Sequence, residues 1–109
     1  MELAKILNKE GVDLVDCSSG GNVPGVTINL VPGYQVPLAE RVRKDAGIPT
    51  GAVGLITSAQ HADHIVTSGR ADLVFLARQM LRDPYFPLHA AKELGVEMKW
   101  PDQYRRASR

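Results

Sequence analysis

The chain has 109 residues, enough for one small domain, with an ordinary apolar share of 44%. Its 13 basic and 12 acidic side chains nearly cancel and 6% of its residues are aromatic, which excludes a basic nucleic-acid surface and a stacking platform for single strands. One cysteine, Cys17, excludes an internal disulfide; no apolar run approaches the ~20 residues of a membrane span, and Met1-Glu2-Leu3-Ala4-Lys5 lacks the order of a signal peptide, so a cytoplasmic protein with no membrane partner is expected.

Leu3, Ile6 and Leu7 fall at helical spacing, and Gly11 is placed to close that helix. Val12 to Cys17 reads as a strand despite Asp13 and Asp16, and Ser18-Ser19-Gly20-Gly21 breaks it. An irregular stretch follows to about Gln35, with Val26 to Leu30 as a brief extended piece inside it. Loops of more than ~12 residues in a compact domain are usually functional or disordered. Pro37 fits the first turn of a helix over Leu38 to Ala46, closed by Gly47. Ile48-Pro49 leads into a strand over Gly51 to Ile56, and Thr57 or Ser58 caps a helix over Ala59 to Thr67 that ends at Gly69. Ala71 to Ala77 is the most apolar strand. A short helix over Gln79 to Arg82 stops at Asp83-Pro84, another runs from Phe86 to Leu94, and the tail from Val96 to Arg109 has no clear period.

Strands alternating with helices imply an α/β fold with a parallel sheet, whose strands are expected to be buried on both faces. Three parallel strands leave two unpaired edges, and the chain starts within a helix. Both features point to the last part of a larger sheet or barrel.

The chemistry concentrates beyond the second and third strands. Each ends in small residues and leads into a helix, so bare backbone N–H groups, with Arg78 beside them, can hold a phosphate. Phosphate grips at that end of a parallel barrel belong to cofactors or phosphorylated substrates. His61 and His64 share a helix face, but no further ligand completes a metal site, and a solvated face is expected there. Arg41, Arg43 and Lys44 beside Glu40 and Asp45 form a charged helix surface. Gly51-Ala52-Val53-Gly54 lacks the third glycine of a dinucleotide fingerprint.

Five motifs in order carry a resemblance: Asp16-Cys17-Ser18-Ser19-Gly20, Pro32-Gly33-Tyr34-Gln35-Val36, Thr50-Gly51-Ala52-Val53-Gly54-Leu55-Ile56, Gly69-Arg70-Ala71-Asp72-Leu73-Val74, and Ala77-Arg78 with Leu81-Arg82-Asp83-Pro84. Over nearly its whole length the chain resembles the last third of an Old Yellow Enzyme, in the thermophilic-like class of FMN-dependent ene-reductases. The resemblance implies a partial (β/α)₈ TIM barrel, with residues 1–109 as its C-terminal segment and the three strands as the sixth to eighth. It implies FMN as cofactor, NAD(P)H as reductant, an activated alkene as substrate, and a homo-oligomer assembled through the C-terminal tail.

Carried over residue by residue, Gly54 matches the phosphate-binding glycine, against which stands a glycine kept for close strand packing. Ala77-Arg78 matches a Gly-Arg pair, with Ala77 replacing the glycine; the methyl narrows the approach but the N–H can still donate. Arg78 is the foremost cofactor contact, and the alternative is a helix-surface arginine. Ser18 is placed to reach the flavin or its phosphate, or serves only the turn it shares with Ser19 and Gly20. Cys17 is expected to be a small buried hydrophobe. Arg106, after Gln103-Tyr104, matches an arginine that enters the neighbouring subunit's site, with Tyr104 lining it; a frayed basic tail is the alternative. The family's proton donor and its carbonyl-holding pair match no residue here, so no catalytic residue is assigned and the chain alone is expected not to turn over substrate. Two other classes remain: another phosphate-binding barrel enzyme, such as a hydroxyacid oxidase or a sugar-phosphate enzyme, and a non-enzymatic partial-barrel assembly module.

Overall fold

The alternating periods fold as expected into alternating elements. The computed structural model describes residues 1–108; Arg109, the last residue of the aperiodic tail, lies outside them. Helix α1 spans Glu2–Lys9, strand β1 Val15–Cys17, helix α2 Val36–Ala46, strand β2 Thr50–Val53, helix α3 Ala59–Thr67 and strand β3 Leu73–Phe75. Helices α4 and α5 span Arg78–Arg82 and Phe86–Glu93, and a 3₁₀ turn covers Asp102–Ser108. Val26 to Leu30 forms no strand. Gly11, Gly47 and Gly69 all have positive φ, as helix-closing glycines should. Of the two candidate caps for α3 it is Ser58 whose hydroxyl accepts, from the His61 N–H at 3.2 Å.

The sheet is parallel throughout, in the order β1-β2-β3. Val15 and Cys17 sit beside Thr50 and Ala52, and Ala52 beside Val74, so these side chains share one face. Helix α2 packs over β1 and β2, and α3 over β3. Between sheet and helices lies a core of Cys17, Val36, Ala39, Ala52, Ile56, Ile65 and Ala71. Burial, and secondarily Asp16, pushes the Cys17 thiol up, so it stays neutral and serves as packing.

The opposite face presents Asp16, Gly51, Val53, Leu73 and Phe75. No helix covers it among the described residues, and Leu73 is 51% and Phe75 39% exposed. The expectation that β3 is buried on both faces therefore fails: its apolar run serves two faces, and one stands open. The radius of gyration agrees, at 16.1 Å against about 13 Å for a compact domain of this length. Phe75 folds its ring over Gly51, where any side chain would collide with it.

Polar links fasten the N-terminal ends of the strands. The Asp72 carboxylate accepts from the Thr50 N–H at 2.9 Å and from Arg43 Nε at 3.0 Å, while Arg43 Nη1 also donates to the Gly69 carbonyl at 3.0 Å. The Thr50 amide, then Arg43, holds the Asp72 carboxyl below its usual range. Thr50 is fully buried and satisfied, its hydroxyl donating to the Ala39 carbonyl at 3.1 Å. Close by, the Glu40 carboxylate takes Lys44 Nζ at 2.6 Å and Arg70 Nε at 2.7 Å, joining α2 to the start of the β3 segment.

These cations, through the hydrogen bonds of Lys44 and Arg70, lower the Glu40 carboxyl from 4.5 to about 2. A carboxyl whose pKa falls on folding stabilises fully above its unfolded value and loses that contribution as pH falls through its folded value. The melting temperature should therefore drop as pH is lowered from 4.5 towards 2. A pH series of thermal melts on Glu40→Gln should show a shallower fall in that window than the parent chain, and identical slopes would contradict the link.

Candidate functional site

Strand β2 ends at Val53, three residues short of the expected Ile56. Gly54 takes φ +119° and Leu55 φ +50°, and neither lies in the β region. Two donors hold the chain in this turn. The Gly33 N–H donates to the Gly54 carbonyl at 3.0 Å, and Gln35 Nε2 donates to the Val53 carbonyl at 3.1 Å. Both donors belong to the Pro32–Val36 segment that precedes α2, so the end of β2 is folded against that loop.

Gly54 is glycine for reasons that do not need a ligand. Its φ suits only glycine, and a Cβ there would sit 2.9 Å from both Gln35 Nε2 and Tyr34 Cε1. What crowds Gly54 is the Pro32–Val36 loop and not a neighbouring strand, and its crowding coexists with a place in the wall of the cleft.

That cleft, about 190 Å³, opens beyond β2 and β3. Its walls are Val53 to Thr57 from one strand end, Phe75 to Gln79 and Arg82 from the other, and Leu30, Tyr34 and Gln35 from the loop after β1. Gly54, Ala77 and Arg78 thus share one hollow. Two arginines line it and no acidic residue does. Among the described residues, Arg78 has no ion-pair partner, and no acceptor takes the main-chain N–H of Leu55, Ile56, Thr57, Ala77 or Arg78. Arg82 donates to Gln79 Oε1 at 3.1 Å, while its neighbour Asp83 is turned away, accepting from the Tyr85 N–H at 3.1 Å and pairing with His89 at 2.7 Å. A cleft with free N–H donors, two guanidinium groups and no carboxylate is suited to an anion with several acceptor oxygens, such as a phosphate monoester.

The remaining candidates lie elsewhere. Ser18 is exposed in the loop after β1 and does not line the cleft; its neighbour Ser19 is tied to it, donating its N–H to Gln35 Oε1 at 2.6 Å. Tyr104 packs edge-on against Tyr85 with ring centres 5.8 Å apart, and raises the Tyr85 hydroxyl above its ordinary pKa. In the 3₁₀ turn Arg105 pairs with Asp102, whereas Arg106 has no ion pair among the described residues. His61 is half-buried, its ring 3.0 Å from where a Cβ on Gly33 would stand, while His64 is exposed, so the solvated face expected there holds at His64 and only in part at His61. A larger hollow of about 560 Å³ between α5 and the segment after it mixes Lys92 and Lys99 with Glu97 and holds none of the candidates.

Gln35 and Arg82 were not singled out from sequence. Gln35 is 4% exposed, and a buried amide beside a Pro-Gly turn is a signal only once its distant partners are known. Arg82 lies one helical turn beyond Arg78, and that spacing was available.

Residues 1–97 match the NADH:flavin oxidoreductase / NADH oxidase family. The chain belongs to that family. It is 59% identical over 105 residues to an NADPH dehydrogenase of Geobacillus thermodenitrificans and 57% identical over 105 residues to one of Halalkalibacterium halodurans. Each alignment covers 96% of this chain and 31% of the relative, so the chain spans about a third of the length of the curated relatives it matches. Membership makes the three-stranded α/β unit part of a TIM barrel, and it implies FMN as cofactor with NAD(P)H as reductant.

Gly54→Ala should destabilise the fold by about 1–3 kcal/mol, because alanine must bear the positive φ and displace Gln35 or Tyr34. Urea denaturation measures this directly. A loss of a few tenths, typical of a surface change, would show that the turn relaxes freely.

Proposed function

We propose that this chain supplies the phosphate end of the FMN site in an NAD(P)H oxidoreductase that reduces activated C=C bonds. One observation carries the proposal: the free N–H groups beyond β2 and β3 share an acid-free cleft with Arg78 and Arg82. The FMN phosphate presents a dianion with several acceptor oxygens, and this donor set fits it. Arg78 would pair with it, the amides of Leu55 to Thr57 and of Ala77 would donate to it, and Arg82 would add a second positive charge. When bound, the flavin supplies the hydride chemistry between NAD(P)H and the alkene. This chain's own residues anchor one end of the cofactor, and no side chain here is assigned to the reacting atoms.

The same proposal takes the strands as the sixth to eighth of the barrel, with the open face towards the barrel interior. The rest of the barrel would then cover Leu73 and Phe75. Ser18 would approach the cofactor from the loop after β1. Arg106, not engaged within the chain, would reach a neighbouring subunit together with Tyr104, which makes the working protein a homo-oligomer. A single cysteine suits a cytoplasmic setting.

The test joins this chain to the part of the Geobacillus thermodenitrificans relative that it does not cover. The product should bind FMN more tightly than riboflavin and reduce an activated alkene with NADPH. Arg78→Gln should weaken FMN binding about 10- to 100-fold while leaving riboflavin binding unchanged. Fluorescence titration of each flavin gives both constants. Equal affinity for the two flavins in the parent protein would overturn the phosphate assignment.

A further inference from the structure

We infer that Gln35 is a positioning residue that makes the cleft selective for an anion; the inference rests on the phosphate assignment above. Its amide joins two loops that arise on different strands. Oε1 accepts the Ser19 N–H at 2.6 Å and lies 3.4 Å from the Ser19 hydroxyl, and Nε2 donates to the Val53 carbonyl at 3.1 Å. The side chain is almost wholly buried, and it borders the same hollow as Arg78.

The consequence follows from the planarity of the peptide unit. In a trans peptide, C=O and N–H point in opposite directions. Gln35 draws the Val53 carbonyl towards the Pro32–Val36 loop, and the Gly33 N–H does the same to the Gly54 carbonyl. The N–H groups of the same two peptide units, on Gly54 and Leu55, must then face away from that loop. Gln35 thus engages an acceptor that would repel an anion, and it anchors the loop whose Gly33 N–H sets the direction of the Leu55 N–H, a donor that attracts one. A free carboxamide facing the cleft would present its own oxygen, but Ser19 occupies that oxygen.

Gln35 touches no ligand in this scheme, so the readout must separate positioning from plain stability. The protein used is the same joined chain, with FMN and riboflavin as probes. Gln35→Met keeps the side-chain length and loses both hydrogen bonds; Gln35→Asn keeps the amide but is too short to reach Ser19 and Val53 together. Both should lose about tenfold in FMN affinity with riboflavin affinity within twofold of the parent. The ratio of the two affinities does not move if Gln35 only supports the fold. A parent protein that prefers FMN, beside variants that keep that preference in full, would overturn the role of Gln35 while leaving the phosphate assignment intact. A parent with no preference would overturn both. Variants that fail to fold would assign Gln35 to the core and overturn the positioning role.

Discussion

The turn beyond β2 is the constraint on which the candidate site depends. Two consecutive carbonyls, those of Val53 and Gly54, are held by a side-chain amide and a main-chain N–H from one loop. The hydrogen bonds end the strand after four residues and force Gly54 and Leu55 to positive φ. Leu55 bears a conformation uncommon outside glycine, asparagine and aspartate, which persists only where neighbours over-determine it. Here the neighbours are the loop that holds the carbonyls and the core that buries Ile56. The N–H groups that follow are left without internal partners, in a cleft whose charged residues are all positive.

The two ends of the sheet divide their work. At the N-terminal ends of β2 and β3, charges are paired with opposite charges. Asp72 meets Arg43, and Glu40 meets Lys44 and Arg70, at separations of 2.6 to 3.0 Å. At the C-terminal ends, Arg78 has no acid within the described residues and Asp83 is occupied by His89. Structural ion pairs and an unpartnered cationic cleft therefore sit at opposite ends of the same strands. In parallel barrels the C-terminal end bears function and the N-terminal end bears stability, and the distribution of paired and unpaired charge follows that division.

Element order, helix closures and the Ser58 cap were legible in the sequence because each rests on contacts within a few residues. So was the pairing of Gly54 with Arg78, since both follow short apolar runs that end in parallel. The exposure of β3 was not legible. Leu73-Val74-Phe75-Leu76 has the composition of a doubly buried strand, and composition does not tell whether the cover lies in this chain. The role of Gln35 is hidden in the sequence for a related reason. Its partners are 16 and 18 residues away, and both bonds involve main-chain atoms that leave no mark in the side-chain pattern. The partial cover of His61 leaves no mark in its spacing to His64, because that spacing describes only its own helix and Gly33 comes from another loop.

Positions 54 and 77 face the same cleft but are constrained differently. Gly54 combines a positive φ with a crowded Cβ site, so alanine is excluded on two counts. Ala77 has φ −95°, where a methyl group carries no such penalty, and it is exposed. The resemblance to a Gly-Arg pair at Ala77-Arg78 is therefore broken at the position where the backbone can tolerate it. The β2 side of the cleft is fixed by the loop that grips its carbonyls. The β3 side begins a five-residue helix with no such grip, so substitution there alters the room beside Arg78 and leaves the direction of the amides on the opposite wall unchanged.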